Sequence, residues 1–142
     1  MTPVVAVIAR LRDAAPLTAL VSTRVVNQHL GQNPTLPCVV AFEVDAFNGQ
    51  HLRGPDGLGR ARVQVESRAA TKPVVDAVAA AVHGDGLGPN ASGLFGWMGS
   101  VGSPSFDIVN VEDAGRRAGY DADELRQYWV QRDYIVKYRG VA

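Results

Sequence analysis

The chain has 142 residues, of which 46% are hydrophobic, and this length suits one domain built around a single core. Its 14 basic and 14 acidic residues give a formal net charge of zero, which disfavours sequence-independent binding to nucleic-acid phosphates. Twelve of the basic residues are arginine. Arginine suits planar contacts between protein surfaces, although genomic base composition produces the same excess.

Cys38 is the only cysteine, so no disulfide can form within the chain and a reducing compartment is expected. Its place in an apolar strand indicates a buried thiol rather than a reactive one. The segment from Met1 to Ile8 lacks the basic region of a signal peptide, and Arg10 interrupts its apolar run. We therefore expect no signal peptide and no membrane span, and a chain that is soluble and cytoplasmic where it is made.

Apolar residues at helical spacing predict a first helix from Val4 to Leu11. We expect Pro16 to end this helix, because the residue before a proline leaves the helical region. Thr18 is expected to cap a further turn through Val21. A first strand is predicted from Leu36 to Ala46, since its even-numbered positions are all apolar and form one face.

The end of this strand and the segment after it are more polar. Glu43 and Asp45 fall on one predicted face, where they keep the strand soluble as it leaves the core. Four glycines and one proline in Asn48–Gly59 predict a mobile connector. Gly59–Ala69 alternates between apolar and mostly charged residues and predicts a second strand. The two strands are expected to form an antiparallel hairpin with a protruding tip.

A helix is predicted after this hairpin, capped by Thr71 and ended by Gly84. Val74, Val78 and Val82 make its apolar stripe, which Val75 and Ala79 widen.

The next segment, Gly84–Gly102, contains seven glycines around Leu94, Phe95, Trp97 and Met98. A solvent loop does not normally expose so much apolar surface. This segment is therefore expected either to pack on its own subunit or to dock onto a neighbour.

The last third of the chain predicts a short strand at Phe106–Glu112, a charged turn region at Asp113–Glu124 and a long strand from Leu125 to Arg139. The order helix, strand, strand, helix, strand, strand predicts an α+β fold. We expect an antiparallel sheet of about four strands, with helices packed on one face, in a single domain over residues 1–142.

No combination of residues predicts catalysis, a cofactor or a metal site. Gly86–Ala91 fits G-x-G-x-x-A only formally, because a helix and not a strand precedes it. His29, His51 and His83 lack the spacing of metal ligands and are interpreted as surface histidines. Asp121–Glu124 lacks the glycine and the distant glutamate of a calcium loop.

The order and spacing of several segments resemble one known family. Leu17–Asp45 contains a leucine-rich turn, Arg24-Val25-Val26, a polar loop, and Leu36-Pro37 before a long apolar strand. Val63–Glu66, Thr71–Val82 and Arg132–Arg139 continue the likeness through a strand, an Ala/Val-rich helix and a closing strand. This pattern resembles the tail-completion, or tail-terminator, proteins of long-tailed phages and phage-like particles, including gene transfer agents. The Gly84–Gly102 segment is the part least similar to the family pattern.

The resemblance implies a structural virion-assembly protein and no enzyme. Such a protein caps the finished tail tube as a homo-oligomeric ring, with a hexamer favoured, and ends polymerisation of the tube protein. It also joins the tail to the head-tail connector protein, and DNA passes through the channel without specific binding. The expected location is the virion tail, assembled in the host cytoplasm. The alternatives are a head-closure or tail-tube protein of the same particle and, less favoured, a small α+β enzyme.

Ring formation needs two different surface patches that meet. Phe95, Trp97 and Met98 are hypothesised to be interface anchors, because buried aromatic side chains dominate such contacts. The full set of residues hypothesised to contact subunits or partners is Phe47, Arg53, Leu58, Phe95, Trp97, Met98, Arg116, Arg117, Trp129 and Arg132.

Overall fold

The structure of the protein is a computed structural model that describes residues 2–28, 34–51, 54–86, 92–102, 106–122 and 126–139, with backbone alone at 47–51 and 54–57. These residues contain three helices: α1 (Pro3–Asp13), α2 (Ala15–Val21) and α3 (Lys72–His83). They also contain six strands: β1 (Val25–Asn27), β2 (Cys38–His51), β3 (Gly54–Ala69), β4 (Gly99–Val101), β5 (Phe106–Asp121) and β6 (Gln127–Arg139).

The first two helices follow one another almost without a break. Thr2 caps α1, since its hydroxyl oxygen accepts a hydrogen bond from the Val5 backbone N–H at 3.4 Å. Pro16 was expected to end this helix, but it lies in the first turn of α2, where a missing N–H costs nothing. Ala14 is the residue that caps α2, and Thr18 lies inside the helix.

The strands form one mixed sheet with the order β1-β2-β3-β6-β5-β4. The α+β class is confirmed. The prediction of about four antiparallel strands is incomplete, because β1 and β4 add a three-residue strand at each edge. β1 pairs with β2 in the parallel direction, whereas β2–β3, β3–β6, β5–β6 and β4–β5 are antiparallel.

The two predicted loops are largely strand. The supposed connector Asn48–Gly59 continues the β2–β3 hairpin as far as His51 and Gly54, and residues 52–53 lie outside the described residues. The supposed turn region Asp113–Glu124 is strand as far as Asp121. Glycine and surface charge do not prevent backbone pairing in a hairpin, which explains both errors.

The sheet has two unlike faces. The helix-covered face carries the core, in which side chains of the three helices pack on alternate residues of β2, β3 and β6 such as Val39, Val63 and Val136. The other face, here called the open face, carries Glu66, Arg68 and most other charged residues of the central strands. On α3 the buried stripe is Val75, Val78 and Val82. Val74, predicted to belong to the stripe, is 37% exposed.

A β-bulge in β2 changes the predicted alternation. The register shifts between Glu43, which lies opposite Val63, and Asp45, which lies opposite Arg62. Because one extra residue reverses the sides of all later side chains, Glu43 lies on the helix-covered face and Asp45 on the open face. The prediction that they share a face is wrong.

Candidate interaction surfaces

The one cysteine is placed as a core residue. Cys38 is 3% exposed, and burial raises the pKa of its thiol against the opposing charges of Arg68 and Arg24. The thiol therefore stays protonated and is a poor nucleophile. Within the described residues, no group of three or more His, Cys, Asp or Glu side chains could hold a metal ion.

His83 has a structural environment rather than a surface one. Its Nδ1 lies 3.0 Å from the Tyr134 hydroxyl, and its ring stacks on Phe95 with centroids 4.8 Å apart. Burial lowers the pKa of His83, so the ring is neutral at pH 7. The surface interpretation is incomplete for His83, because its ring is partly buried and also lines the cleft beside α3. His29 lies outside the described residues, and the side chain of His51 is not described.

A cleft of about 380 Å³ separates α3 from the β5–β6 hairpin. It is lined by Lys72, Asp76, Ala79, Ala80, His83, Gly84, Arg116 and Arg132. Lys72 Nζ lies 3.1 Å from Asp76 Oδ2, and Arg132 Nη1 lies 2.6 Å from Asp113 Oδ2. Arg116 Nη2 is 3.8 Å from the other oxygen of Asp76. The cations of this cleft thus already face carboxylates, unlike the unpaired, convergent groups of a typical catalytic site.

The glycine-rich segment packs on its own subunit. The backbone N–H of Leu94 donates to the Val82 carbonyl at 2.9 Å, and that of Phe95 donates to the His83 carbonyl at 3.0 Å. Gly93 permits this approach, because a Cβ there would lie 2.5 Å from the Val82 carbonyl oxygen. Of the two arrangements expected for this segment, the structure shows docking onto the same subunit.

This docking separates the three hypothesised anchors. Trp97 is 4% exposed in the main core, with the Arg10 guanidinium 5.2 Å from its ring centroid. Phe95 and Met98 remain 38% and 46% exposed. Trp97 is therefore not available to a neighbour in this conformation, whereas Phe95 and Met98 stay candidate anchors. Hydrophobicity alone could not distinguish them.

The β1 edge of the sheet is partly covered. Arg12 donates from Nη2 to the Val25 carbonyl at 2.7 Å, which occupies an acceptor that an added strand would need. β1 covers β2 only from Val39 to Ala41. Beyond Ala41 the outer edge of β2 has no partner strand among the described residues, and Val44 is 50% exposed there.

The opposite edge of the sheet is also covered only in part by a short strand. β4 covers β5 only from Phe106 to Ile108, and the Gly96 N–H donates to the Val111 carbonyl at 2.9 Å. From Glu112 to Asp121 the outer side of β5 has no partner strand among the described residues. A bulge between Asp113 and Arg116 interrupts the register of this stretch. Such bulges are typical of exposed edges, where they limit uncontrolled strand pairing.

The open face carries a partly buried ionic network. Arg68 lies 2.9 Å from Glu66 Oε2 and 3.1 Å from Asp121 Oδ2, and it donates to Gln127 Oε1 at 3.1 Å. Gln131 donates to Glu66 Oε1 at 2.7 Å. Glu66 is only 8% exposed. Because one arginine faces two carboxylates, the network adds no excess of positive charge to this face.

Some of the other hypothesised contact residues lie toward the β2–β3 tip. Leu58 is 39% exposed and lies opposite Arg139. Phe47 belongs to β2, but its side chain is not described, and Arg53 lies outside the described residues. Their role as contacts stays a prediction.

The remaining four gather on the β5–β6 hairpin. Arg116 lies opposite Arg132 on the helix-covered face, whereas Arg117 lies opposite Gln131 on the open face. Trp129, also on the open face, lies opposite Gly119, where a Cβ would come within 2.5 Å of the indole ring. The structure therefore brings Arg116, Arg117, Trp129 and Arg132 together on one hairpin, on both of its faces.

The mixed sheet, the helices on one of its faces and the two partly open edges define an α+β domain. A model of the family described as "Tail completion protein gp17" matches residues 5–138, and the chain belongs to this family. A chain from "Virion of native gene transfer agent (GTA) particle" superposes with a TM-score of 0.64 and 18% identity, covering 99% of this chain and 100% of that chain. At this identity the likeness shows the fold alone. A comparison with curated protein sequences found no significant match.

The family makes the protein a structural component of virion tail assembly, located in the virion tail. It acts together with other tail or head components. No helix in the described part of the chain is long and apolar enough to cross a membrane. The family resemblance stated from the sequence is confirmed.

Proposed function

We propose that the protein is the tail terminator of its particle. It forms a closed ring, with six subunits favoured, on the finished end of the tail tube and stops further polymerisation there. The ring then presents a surface to the head-tail connector, and DNA passes through its central hole without specific binding.

The observation that carries this proposal is the family match together with the two unlike edges of one sheet. Beyond Ala41 on β2 and beyond Val111 on β5, each subunit has an edge that no described strand covers, and the two edges lie on opposite sides of the sheet. Two different patches on opposite sides are what a head-to-tail contact requires, and such contacts close into rings when the rotation between copies is right.

The balance of charge supports the same role. A channel wall that grips DNA needs an excess of cationic side chains, but the formal net charge of this chain is zero. On the open face Arg62 pairs with Asp133 at 2.8 Å, and Arg68 is held by Glu66 and Asp121. These arginines are engaged within the subunit, which favours passage of DNA over binding.

Phe95 and Met98 are proposed as apolar anchors of the assembled state, since both are large, exposed and close in sequence. Replacing both by serine should lower the oligomeric mass measured by light scattering. Trp97 is left unchanged because it belongs to the core. A matched pair, Val5 and Leu20, is 40% and 36% exposed on the helices and serves as the serine-substituted control. An unchanged mass in the Phe95 and Met98 variant would contradict their role.

Electron microscopy of the purified chain separates the terminator from its main alternative. A terminator stops at one ring, whereas a tail-tube protein continues into filaments. Closed rings of uniform diameter are expected, and long filaments would favour the tube protein. A head-closure protein would instead bind the connector and leave isolated tail tubes uncapped.

A further inference from the structure

The two open edges carry charges of opposite sign. On the edge of β2, Glu43 and Asp45 are the first acidic residues beyond the stretch that β1 covers. Asp45 is exposed and Glu43 is half-buried. Neither forms an ion pair within the described part of the chain. We call these two residues the acidic edge.

On the edge of β5, Arg116 and Arg117 are both exposed. Arg117 forms no hydrogen bond or ion pair with any described residue, and Arg116 approaches Asp76 only at 3.8 Å. We call these two residues the arginine edge. Glu43, Asp45 and Arg117 thus have no ion-pair partner among the described residues, although Asp45 lies opposite Arg62 in the β2–β3 ladder. Arg116 has one long contact, to Asp76.

The sheet places Glu43 of the acidic edge and Arg116 of the arginine edge at nearly the same height. Glu43 lies opposite Val63 of β3, and Arg116 lies opposite Arg132, which in turn lies opposite Val65 of β3. Two residues along a strand correspond to about 7 Å, which long side chains span. Glu43 and Arg116 therefore come nearly level when one copy stands beside another in the same orientation. Asp45 lies opposite Arg62, and Arg117 lies opposite Gln131, which pairs with Glu66, so these two are four residues, about 13 Å, apart along the strands.

The charges of the two edges also lie on matching faces of the sheet. Glu43 and Arg116 lie on the helix-covered face, whereas Asp45 and Arg117 lie on the open face. If the sheets of adjacent copies continue one another, each face of the junction has one carboxylate and one guanidinium. Such pairs fix register and orientation between partners.

We propose that the acidic edge of each subunit meets the arginine edge of the next copy of the same chain. This inference rests on the proposed ring. The bulges at Val44 and at Ala114–Gly115 interrupt both edges. The contact is therefore made through side chains and not through a continuous backbone ladder.

The charges of the two edges also favour a head-to-tail contact over an isologous contact, in which two copies would meet through the same edge. Two acidic edges brought together would oppose four carboxylates, and two arginine edges would oppose four guanidinium groups. Like charges placed together disfavour a partner. Alternating edges around a ring avoid both arrangements, as a heterologous contact does.

Mixing two charge-reversed variants tests this junction. Glu43→Lys with Asp45→Lys makes both edges basic, and Arg116→Glu with Arg117→Glu makes both edges acidic. Each variant alone should assemble at least about tenfold more weakly than the wild type. An equimolar mixture should recover rings, because alternating copies then have complementary charge at every junction. Analytical ultracentrifugation and electron microscopy give the mass and the shape.

The matched control is Arg60→Glu with Arg126→Glu, which makes the same change of net charge at two exposed arginines away from the β5 edge. It should assemble like the wild type. Arg117→Glu alone, at a side chain with no partner within the described residues, is the milder variant if the double variant unfolds. Circular dichroism checks the fold of each chain.

The outcomes separate this inference from the proposed function. If the wild type forms rings and the two variants form them equally well alone, the junction lies elsewhere and the inference is wrong, while the terminator role stands. If the variants fail alone and also fail when mixed, complementary pairing is likewise contradicted. A wild type that forms no ring in the presence of tail tubes contradicts both.

Discussion

Leu94→Ala tests whether the glycine-rich segment is part of the folded body. Leu94 is fully buried in the main core, and its backbone N–H donates to the carbonyl of Val82 at the end of α3. Truncation removes three buried carbon atoms and leaves a cavity that the surrounding side chains fill only in part. For such a site the free energy of unfolding should fall by about 3 kcal/mol.

For a chain of this length, 3 kcal/mol corresponds to a decrease of about 10 °C in Tm. Urea unfolding followed by circular dichroism gives the free energy directly. Phe95→Ala is the matched control, because Phe95 is 38% exposed and loses mainly its stacking on His83. Its expected cost is about 1 kcal/mol. Equal, small costs for both variants would refute the packing of this segment.

Three further predictions concern the side chains of Cys38, Arg68 and His83. The Cys38 thiol should react with a disulfide reagent far more slowly in the native protein than in urea, because burial raises its pKa and blocks access; equal rates would contradict its burial. Arg68→Met should cost about 3 kcal/mol, because Glu66 is left with a buried charge, whereas Lys72→Met, at an exposed pair, should cost under about 0.5 kcal/mol. The free energy of unfolding should fall as the pH drops below about 6.5, the ordinary pKa of histidine. The pKa of His83 is lowered in the folded protein, so the unfolded chain binds the imidazole proton more tightly than the folded chain does. The loss continues until the pH reaches the pKa in the fold, and His83→Gln should flatten this part of the profile; an unchanged slope would contradict the assignment.

The second strand of the β2–β3 hairpin and the helix after it were predictable because their signals are local. Gly59–Ala69 alternates with a period of two, and in the structure Ala61, Val63 and Val65 all belong to the core. The helix after it was also found, with valines at helical spacing and Gly84 at its end. Both signals depend only on neighbours in sequence.

Contacts between distant residues were not predictable. The bulge at Val44 reverses the side chain of Asp45, and no turn residue marks it in the sequence. His83 meets Tyr134 across 51 positions in the chain, so its packing could not be distinguished from a surface position. The short edge strands β1 and β4 depend on the strands they pair with and have weak patterns of their own.

The exposed side chains of the candidate surfaces could not be selected from the sequence. The family resemblance implied a ring, and the glycine-rich segment was expected either to pack on its own subunit or to dock onto a neighbour. Its core residue Trp97 and its exposed residues Phe95 and Met98 have the same apolar character in the sequence, and only the fold separates them. Opposite charge on the two edges became visible only once β2 and β5 were placed on opposite sides of the sheet.

The length of tail tubes assembled with and without the protein tests the terminator role most directly. Purified tail-tube protein from the same particle is polymerised alone, with the wild-type chain, and with the Arg116→Glu and Arg117→Glu variant, and tubes are measured in electron micrographs. The wild type should cap one end with a closed ring and shorten the tubes, and the variant should do neither. Tubes of unchanged length without rings in the presence of the wild type would contradict the account.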